Sequence, residues 1–339
     1  MKNSESKYTK YDLCKEMLET SDIIKRFNQN ISQKYINKIE ITDGLFLTGE
    51  GSSRIFPAKQ IIYQNRKHSC GYDILTEGSL QSMEYNLDTY SVFGCSNSGR
   101  TSELIRLFNL LSNRNHRNLF GLIANSNTPL ENIAMESTVL ECGTENAVAA
   151  TKSVVEQALF FHSLYANLLK KKMFGLDELS YLFTKTLEAP ISQDIINLIA
   201  NAGIIYFAGR DNGVAEEITL KTNEITRKKS GYLEGTYAVH GIEEVLKKQD
   251  VIVVFDPFPS EEDKFYSTLV EGAGVEVIAI STRQTKFKTI LIPESQCYQN
   301  YLELAMGWNL LVETGIHLGI DLDKPERARK VGNEYVPTV

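Results

Sequence analysis

The stretch Ser91-Val-Phe-Gly-Cys-Ser-Asn-Ser-Gly-Arg-Thr-Ser-Glu103 decides the fold of the first half of this 339-residue chain. An apolar run, 90–93, predicts a buried strand, and it breaks at once into small hydroxyl and amide residues. A helical pattern begins near Glu103. A strand that passes through a Ser/Gly turn into a helix leaves backbone N–H groups at the helix start, as in α/β proteins with parallel sheets.

This turn also has the chemistry of an anion site. The hydroxyls of Ser96, Ser98 and Thr101 are predicted to lie beside the N–H groups, and together they suit a phosphate monoester. The turn lacks the Gly-x-x-x-x-Gly-Lys-Ser/Thr pattern of a nucleoside triphosphate site. Taken by itself, it is equally typical of a plain strand-to-helix connection in which Ser and Thr cap the helix.

Apolar runs alternate with helical patterns along the rest of the chain. Further buried strands are predicted at 44–49, 118–124, 138–140, 203–209, 250–255, 275–280 and 289–292. Helices are predicted between them, with long ones at 147–170, 214–229 and 299–319. This alternation favours parallel βαβ units with helices on both faces of the sheet.

The order of these elements restarts near residue 200, which predicts two α/β halves joined by 171–200. We expect an N-terminal helical segment at 1–40, a first domain at 41–190 that carries the phosphate-type turn, and a second domain at 195–339. Each domain is predicted to be a doubly wound, flavodoxin-like parallel sheet.

Composition narrows the class of protein. The formal charge of −7 and a pI near 5.5 disfavour nucleic acid as a partner. The first residues lack the apolar core of a signal peptide, and the apolar segment 302–320 carries Glu303, so we expect a cytoplasmic protein without a membrane span. The scattered cysteines predict reduced thiols with no metal and no cofactor, and they are Cys14, Cys70, Cys95, Cys142 and Cys297.

Two candidate catalytic features lie in the second half. Glu217, Lys221 and Glu224 have i, i+4 and i+7 spacing, so they share one helical stripe, which is typical of a solvated, ion-paired face or of a site. His240 lies in a loop-like stretch, 235–241, where it is either a hydrogen-bonded structural residue or a proton-transfer group.

Several motifs in chain order resemble the sugar isomerase (SIS) family of phosphosugar-binding proteins, in particular the isomerase part of the glucosamine-fructose-6-phosphate aminotransferases. Residues 50–53 resemble the family's Cys-Gly-Thr-Ser turn, and 96–101 resemble its Ser-Gln-Ser-Gly-Glu-Thr phosphate loop. The stretch 143–152 resembles Gly-Thr-Glu-x-x-Val-Ala-Ser-Thr-Lys. His240-Gly241 is similar to the family's His-Gly-Pro, and the tail from 319 to Lys330 resembles the one that brings a lysine into the site.

The resemblance assigns roles to individual residues. Glu224 would move a proton between C1 and C2, His240 would open the sugar ring, Lys221 would tune Glu224, and Lys330 would form an imine with an open-chain carbonyl. The residues implied to bind substrate are Gly51, Ser52, Ser53, Ser96, Asn97, Ser98, Arg100, Thr101, Glu145, Val148, Ala149 and Ala150. The family's histidine comes from the neighbouring subunit, which implies a homodimer with a composite active site.

The chain departs from the family pattern at four positions within the motifs of the site. Arg100 replaces an acidic residue, Ala150 a serine and Glu50 a cysteine, and Ile242 stands where the family has proline. The sequence shows no glutaminase domain, so we do not expect a glutamine-dependent synthase. The resemblance implies two tandem SIS domains, and the function we expect is a metal-independent glucosamine-6-phosphate deaminase, which releases fructose 6-phosphate and ammonia and needs no residue beyond those named. The alternatives are a fructosamine-6-phosphate deglycase, another phosphosugar isomerase, and a regulator that binds phosphosugars without turnover.

Overall fold

The strands of the protein form two parallel, five-stranded sheets in the computed structural model, which describes residues 1–39, 41–68 and 71–336. The strands of the first sheet are β1 Gly44–Gly49, β2 Asp73–Gly78, β3 Tyr90–Ser96, β4 Leu119–Ile123 and β5 Glu136–Val139. Those of the second are β6 Ile205–Gly209, β7 Ser230–Glu234, β8 Val251–Phe255, β9 Glu276–Ser281 and β10 Lys288–Leu291. The predicted α/β class with parallel sheets is confirmed.

Both sheets have the same strand order. It is β2-β1-β3-β4-β5 in the first sheet and β7-β6-β8-β9-β10 in the second. This is the flavodoxin-like order, in which the chain reverses direction across the sheet between its first and third strands, and ligands of such folds bind beyond the carboxyl ends of those two strands. The sequence predictions omitted β2 and β7, which are the edge strands that flank β1 and β6.

Helices connect the strands. They are α1 Ser6–Thr9, α2 Asp12–Arg26, α3 Ile36–Ile39, α4 Ile55–His68, α5 Ser79–Ser82, α6 Ser102–Asn113, α7 Pro129–Ile133, α8 Lys152–Leu168, α9 Leu176–Glu188, α10 Gln193–Asn201, α11 Val214–Thr226, α12 Glu262–Phe265 and α13 Gln299–His317. A π-helical turn, Tyr266–Gly272, continues α12.

The first sheet is covered by helices on both faces. All six residues of β1 are buried, and its three large apolar side chains alternate between two apolar clusters. Leu45 and Leu47 belong to a cluster with residues of α4 and α8, whereas Phe46 belongs to one with α6. Because successive side chains of a strand point to opposite faces, this division places α4 and α8 on one face and α6 on the other.

The second sheet has a comparable core. Its central strand β8 is buried throughout, and Ile252 and Val254 pack with Phe265 and Leu269 of the segment that follows. Helix α11 packs on β6 and against α13. The two helices approach closely at Gly307, where an added Cβ would lie 2.4 Å from Ile218 Cδ1.

Contacts within the described residues divide the chain into two compact units. The first-sheet unit comprises Asp22–Glu145, Ala150–Asp177 and Ala328–Val339, and the second-sheet unit comprises Met1–Ser21, Asn146–Ala149 and Glu178–Arg327. The domain boundaries predicted above, 1–40, 41–190 and 195–339, stay a prediction.

The described residues can also be searched for membrane-spanning helices, metal-binding clusters and disulfide bonds. None of their helices is both long and apolar enough to cross a membrane. Residues 1–39, 41–68 and 71–336 contain no group of three His, Cys, Asp or Glu side chains placed to hold a metal ion. Cys14, Cys95, Cys142 and Cys297 are free thiols, while Cys70 lies outside the described residues.

Candidate functional site

The phosphate-type loop, 96–101, connects the carboxyl end of β3 to the start of α6. Strand β3 pairs with β1 so that Cys95 lies opposite Gly49, and the turn Gly51–Ser53 that follows β1 therefore begins beside the loop. These are the first and third strands of the chain order, so the loop lies at the position where doubly wound folds bind ligands.

Hydrogen bonds within the loop gather its hydroxyl groups. Ser96 Oγ lies 2.9 Å from Thr101 Oγ1 and 3.4 Å from Ser98 Oγ. Ser96 Oγ also accepts the N–H of Gly99 at 3.0 Å, and Ser98 Oγ accepts the N–H of Arg100 at 3.1 Å. The structure thus brings together the three hydroxyls that the sequence predicted to bind phosphate.

Gly99 allows the loop to turn this tightly. Its φ of +63° lies in the left-handed region, and an added Cβ would lie 2.3 Å from Thr128 Oγ1. Thr128 itself caps α7 by accepting the N–H of Glu131 at 3.3 Å. The loop therefore packs against the start of α7, and a side chain at position 99 would push the loop away from Thr128.

The C-terminal segment 333–335 pairs with the loop inside the first-sheet unit. The Ser102 N–H donates to the Asn333 carbonyl and the Tyr335 N–H donates to the Arg100 carbonyl, each at 2.9 Å. Thr101 and Glu334 form an antiparallel bridge. The sequence predicted free N–H groups at the start of α6, and for Ser102 that prediction is wrong because the tail takes its N–H.

Glu145 lies in the loop between β5 and α8, with 7% of its surface exposed. Oε1 accepts the Thr151 N–H at 2.8 Å, and Oε2 accepts from Asn97 Nδ2 and from Ser153 Oγ, each at 2.7 Å. Lys330 Nζ lies 3.4 Å from Oε2. Burial alone would raise the pKa of Glu145, but Lys330 and the hydrogen bonds outweigh burial and hold that pKa below its ordinary value.

The turn after β1 carries the substituted Glu50. Glu50 Oε1 accepts the N–H of Ser79 at 2.9 Å, so the carboxylate caps the short helix α5. Burial raises the pKa of Glu50. The neighbouring Gly51 has a φ of +56°, and Ser52 is buried. The segment 146–149, with the predicted Val148 and Ala149, belongs to the second-sheet unit, whereas Ala150 belongs to the first.

The predicted catalytic stripe is buried along most of its length in α11. Lys221 Nζ lies 2.7 Å from Glu224 Oε2 and 3.6 Å from Glu217 Oε1. The side chains of Lys221 and Glu217 are 1% and 0% exposed, while that of Glu224 is 25% exposed. A solvated ion-paired face is therefore wrong for Glu217 and Lys221, and Glu224 is the member of the stripe that solvent or a ligand can reach.

His240 is exposed and lies in the loop that follows β7. A short 3₁₀ turn, Tyr237–Val239, ends at it, and Gly241 has a φ of +104°. Among the described residues, the His240 ring makes no hydrogen bond with another predicted site residue. Its apolar neighbours Tyr237 and Val245 are 52% and 63% exposed.

The sequence pattern marks Glu303 only as a charge within an apolar helix and does not predict its chemistry. It lies in the first turns of α13 and is buried. Burial and, to a lesser extent, the Asp256 carboxylate raise its pKa to about 8, although Arg210 and a hydrogen bond with Asn212 oppose the rise. Arg210 and Asp256 directly follow β6 and β8 and pair at 2.7 Å. An acidic residue inside a long apolar run was the available signal.

Replacing Glu303 with Gln is expected to change how stability depends on pH. The carboxyl titrates near 4.5 in an unfolded chain and near 8 in the fold, so between these values the folded state binds more protons. Wild-type stability therefore falls as pH rises from 4.5 to 8, and each pKa unit corresponds to ~1.4 kcal/mol. Urea unfolding at pH 5 and pH 8 should show a smaller decline for Glu303→Gln, and equal declines in both proteins would contradict the burial argument.

Comparisons with known proteins give a consistent result for the fold. No family model matches the sequence, and no curated protein matches it in sequence. The C-terminal domain of glucosamine-fructose-6-phosphate aminotransferase from Francisella tularensis is similar in structure, with a TM-score of 0.77 and 18% identity over 96% of this chain and 100% of that chain.

Two further solved structures are similar over nearly their whole length. For tagatose-6-phosphate ketose/aldose isomerase from Escherichia coli the TM-score is 0.78 at 17% identity, over 96% of this chain and 98% of that chain. For glucosamine-6-phosphate deaminase from Thermotoga maritima it is 0.74 at 22% identity, over 96% and 99%. The chain therefore has the fold of the SIS-type phosphosugar isomerases, and the resemblance drawn from its motifs is confirmed at the level of the fold.

Proposed function

We propose that the protein is an enzyme that isomerises or deaminates a hexosamine 6-phosphate, with two tandem SIS domains. The observation that carries the proposal is the cluster of hydroxyls from Ser96, Ser98 and Thr101. It lies beyond the carboxyl end of β3, where the strand order of the sheet reverses, in a protein with the fold of phosphosugar isomerases. A sensor would require the phosphate loop but would have no use for the partly exposed carboxylate of Glu224, which is held by a buried lysine.

The proposed reaction uses this chain's own residues. The loop hydroxyls bind the 6-phosphate, and His240 transfers the proton of the O1 hydroxyl to the ring oxygen, so that the ring opens to the C1 aldehyde. Glu224 then takes the proton from one of the carbons C1 and C2 and returns it to the other. Hydroxyls and N–H groups near Ser52, Ser53 and Ala149 stabilise the enediol or enamine oxygen. Lys330 is the candidate for an imine with the open-chain carbonyl.

Glucosamine 6-phosphate is the proposed substrate. Proton transfer from C2 to C1 converts its open-chain form, a C1 aldehyde with a C2 amine, to a C2 imine. Water then hydrolyses the imine to fructose 6-phosphate and ammonia. The reaction requires no group beyond those already described. The similarity to glucosamine-6-phosphate deaminase from Thermotoga maritima supports this choice. The similarity to tagatose-6-phosphate ketose/aldose isomerase supports the alternative of an isomerase that retains nitrogen or acts on neutral sugars.

The direct experiment is a substrate panel. Ammonia and fructose 6-phosphate are measured with glucosamine 6-phosphate, galactosamine 6-phosphate, fructosamine 6-phosphates and tagatose 6-phosphate. Release of both products from glucosamine 6-phosphate identifies a deaminase, and cleavage of fructosamine 6-phosphates identifies a deglycase. Binding of phosphosugars without any turnover would leave only the regulator.

Removing a loop hydroxyl is expected to weaken every 6-phosphosugar alike. Ser98→Ala and Thr101→Val each delete a donor to a charged oxygen, which is worth about 1.5–3 kcal/mol, or roughly 10- to 100-fold in Kd. Ser260→Ala is the matched control, because Ser260 lies in the turn after β8 of the second sheet. Titration calorimetry with unchanged affinity in both loop variants would place the phosphate elsewhere.

We also propose a homodimer in which His240 serves the partner's active site, and the exposed apolar side chains of Tyr237 and Val245 near His240 favour a protein contact there. Mixing inactive Glu224→Gln and His240→Ala subunits is then expected to restore about one intact site of the two in each mixed dimer. Activity is assayed after subunit exchange has been verified by mass spectrometry. No recovery at all would place His240 in its own subunit's site or outside the mechanism.

A further inference from the structure

The carboxylate of Glu145 has no acceptor site left for a substrate. A carboxylate offers about four lone-pair sites in all. Six donors lie within 3.4 Å of the Glu145 carboxylate: the N–H and Oγ1 of Thr151, the N–H and Oγ of Ser153, Asn97 Nδ2 and Lys330 Nζ. The family resemblance implied that Glu145 binds substrate. Because protein donors already occupy the lone pairs of its carboxylate, we assign Glu145 a structural role instead.

These contacts also fix the orientation of the Asn97 amide. Because a carboxylate only accepts hydrogen bonds, the Asn97 atom that faces Glu145 must be Nδ2. The second N–H of the same group donates to Ser153 Oγ at 2.9 Å, and Ser153 Oγ in turn donates to Glu145. With both N–H groups engaged, Asn97 offers a ligand its carbonyl Oδ1, which is an acceptor and cannot bind a phosphate anion.

Charge explains why Lys330 belongs to the same cluster. A buried carboxylate close to a phosphate loop would repel a phosphate group, and this repulsion is stronger in the protein interior than in water. The ammonium of Lys330, 3.4 Å from Glu145 Oε2, offsets that charge. The tail that carries Lys330 continues into the segment that pairs with Arg100 and Ser102 of the loop region.

We infer that Glu145 is a positioning residue, which sets the Asn97 amide so that its oxygen accepts a sugar hydroxyl and which holds the Lys330 ammonium beside the phosphate loop. The inference rests on the proposed function for its substrate. In this arrangement the loop hydroxyls recognise the phosphate and Asn97 recognises the sugar, so affinity for inorganic phosphate and affinity for a phosphosugar depend on different residues.

The first test separates those two affinities. Asn97→Ala removes the acceptor from a partly exposed position and leaves the hydroxyls of Ser96, Ser98 and Thr101 in place. We expect phosphosugar affinity to fall about 10-fold or more while affinity for inorganic phosphate stays within about 2-fold. Equal losses for both ligands would overturn the assignment of Asn97 Oδ1 to the sugar.

The second test addresses Glu145 itself, with Glu156→Gln as the matched control. Glu156 is a buried glutamate in α8 of the same unit, and it accepts the Glu141 N–H at 2.9 Å without contacting the loop. In ligand-free protein, Glu145→Gln is expected to speed hydrogen exchange of the 96–101 amides, whereas Glu156→Gln leaves it unchanged. In assays, Glu145→Gln should raise KM about 10- to 100-fold and change kcat less.

Lys330→Met and the double variant Glu145→Gln/Lys330→Met complete the set. Since the two residues act as one unit, the double variant should lose no more than the more damaging single change. The inference is overturned if Glu145→Gln and Glu156→Gln have the same hydrogen-exchange rates at the 96–101 amides and the same KM. Faster loop exchange in Glu145→Gln, together with no turnover by the wild type on any phosphosugar, would instead reject the proposed function and leave the positioning role standing.

Discussion

Glu224→Gln is expected to lower turnover of the phosphosugar substrate by about 10²–10⁴-fold while its KM changes little. Gln keeps the shape of the side chain and can still meet Lys221, which lies 2.7 Å from Glu224 Oε2 in the wild type. It cannot accept a proton from carbon. The loss therefore falls on the proton-transfer step and is measured as kcat under saturating substrate.

Two controls make this result specific. Glu216→Gln changes a neighbouring glutamate of α11 that does not belong to the 217, 221 and 224 stripe, and it should retain near-wild-type kcat. Reaction in deuterated water should place deuterium at C1 or C2 of the product with the wild type, and far more slowly with Glu224→Gln. Wild-type kcat in Glu224→Gln would remove Glu224 from the mechanism, and absence of deuterium in the product would argue for transfer without solvent exchange.

The buried strands of this fold are readable from sequence, but its sheet edges are not. Central strands such as β8, with the sequence Val-Ile-Val-Val-Phe, are covered on both faces and are therefore continuously apolar. The edge strands β2 and β7 have the sequences Asp-Ile-Leu-Thr-Glu-Gly and Ser-Gly-Tyr-Leu-Glu, and one residue in each is fully buried. Pairing with β1 and β6 determines them as strands, and a local pattern does not record that pairing.

Some features of the candidate site can likewise be predicted from sequence, and others cannot. The hydroxyl cluster of 96–101 follows from a local turn, so its residue types alone indicated an anion site. The contacts of Glu145 with Asn97 and Lys330 span 48 and 185 residues of sequence, and only the family resemblance pointed to those positions. The pairing of 333–335 with the loop and the burial of Glu217 depend on tertiary packing in the same sense, because spacing cannot distinguish a buried charged stripe from a solvated one.

The burial of that stripe leads to the largest stability effect we expect. Lys221→Met removes an ammonium that is 1% exposed and leaves the Glu217 carboxylate, 0% exposed, without its ion-pair partner 3.6 Å away. Taking one member from a buried ion pair costs about 3–5 kcal/mol, since the remaining charge has lost the interaction that offset its desolvation. The unfolding free energy measured in urea should fall by that amount, with a corresponding loss of kcat because Glu224 loses its 2.7 Å contact.

The double variant Lys221→Met/Glu217→Gln identifies the cause of that loss. Replacing both members removes the buried charges together, and exchange of a buried ion pair for uncharged groups is often close to neutral in stability. We therefore expect most of the unfolding free energy to return in the double variant while kcat stays low, because Glu224 still lacks Lys221. If the double variant is as unstable as Lys221→Met alone, the loss comes from packing around the lysine stem and not from the charge that Lys221→Met leaves on Glu217.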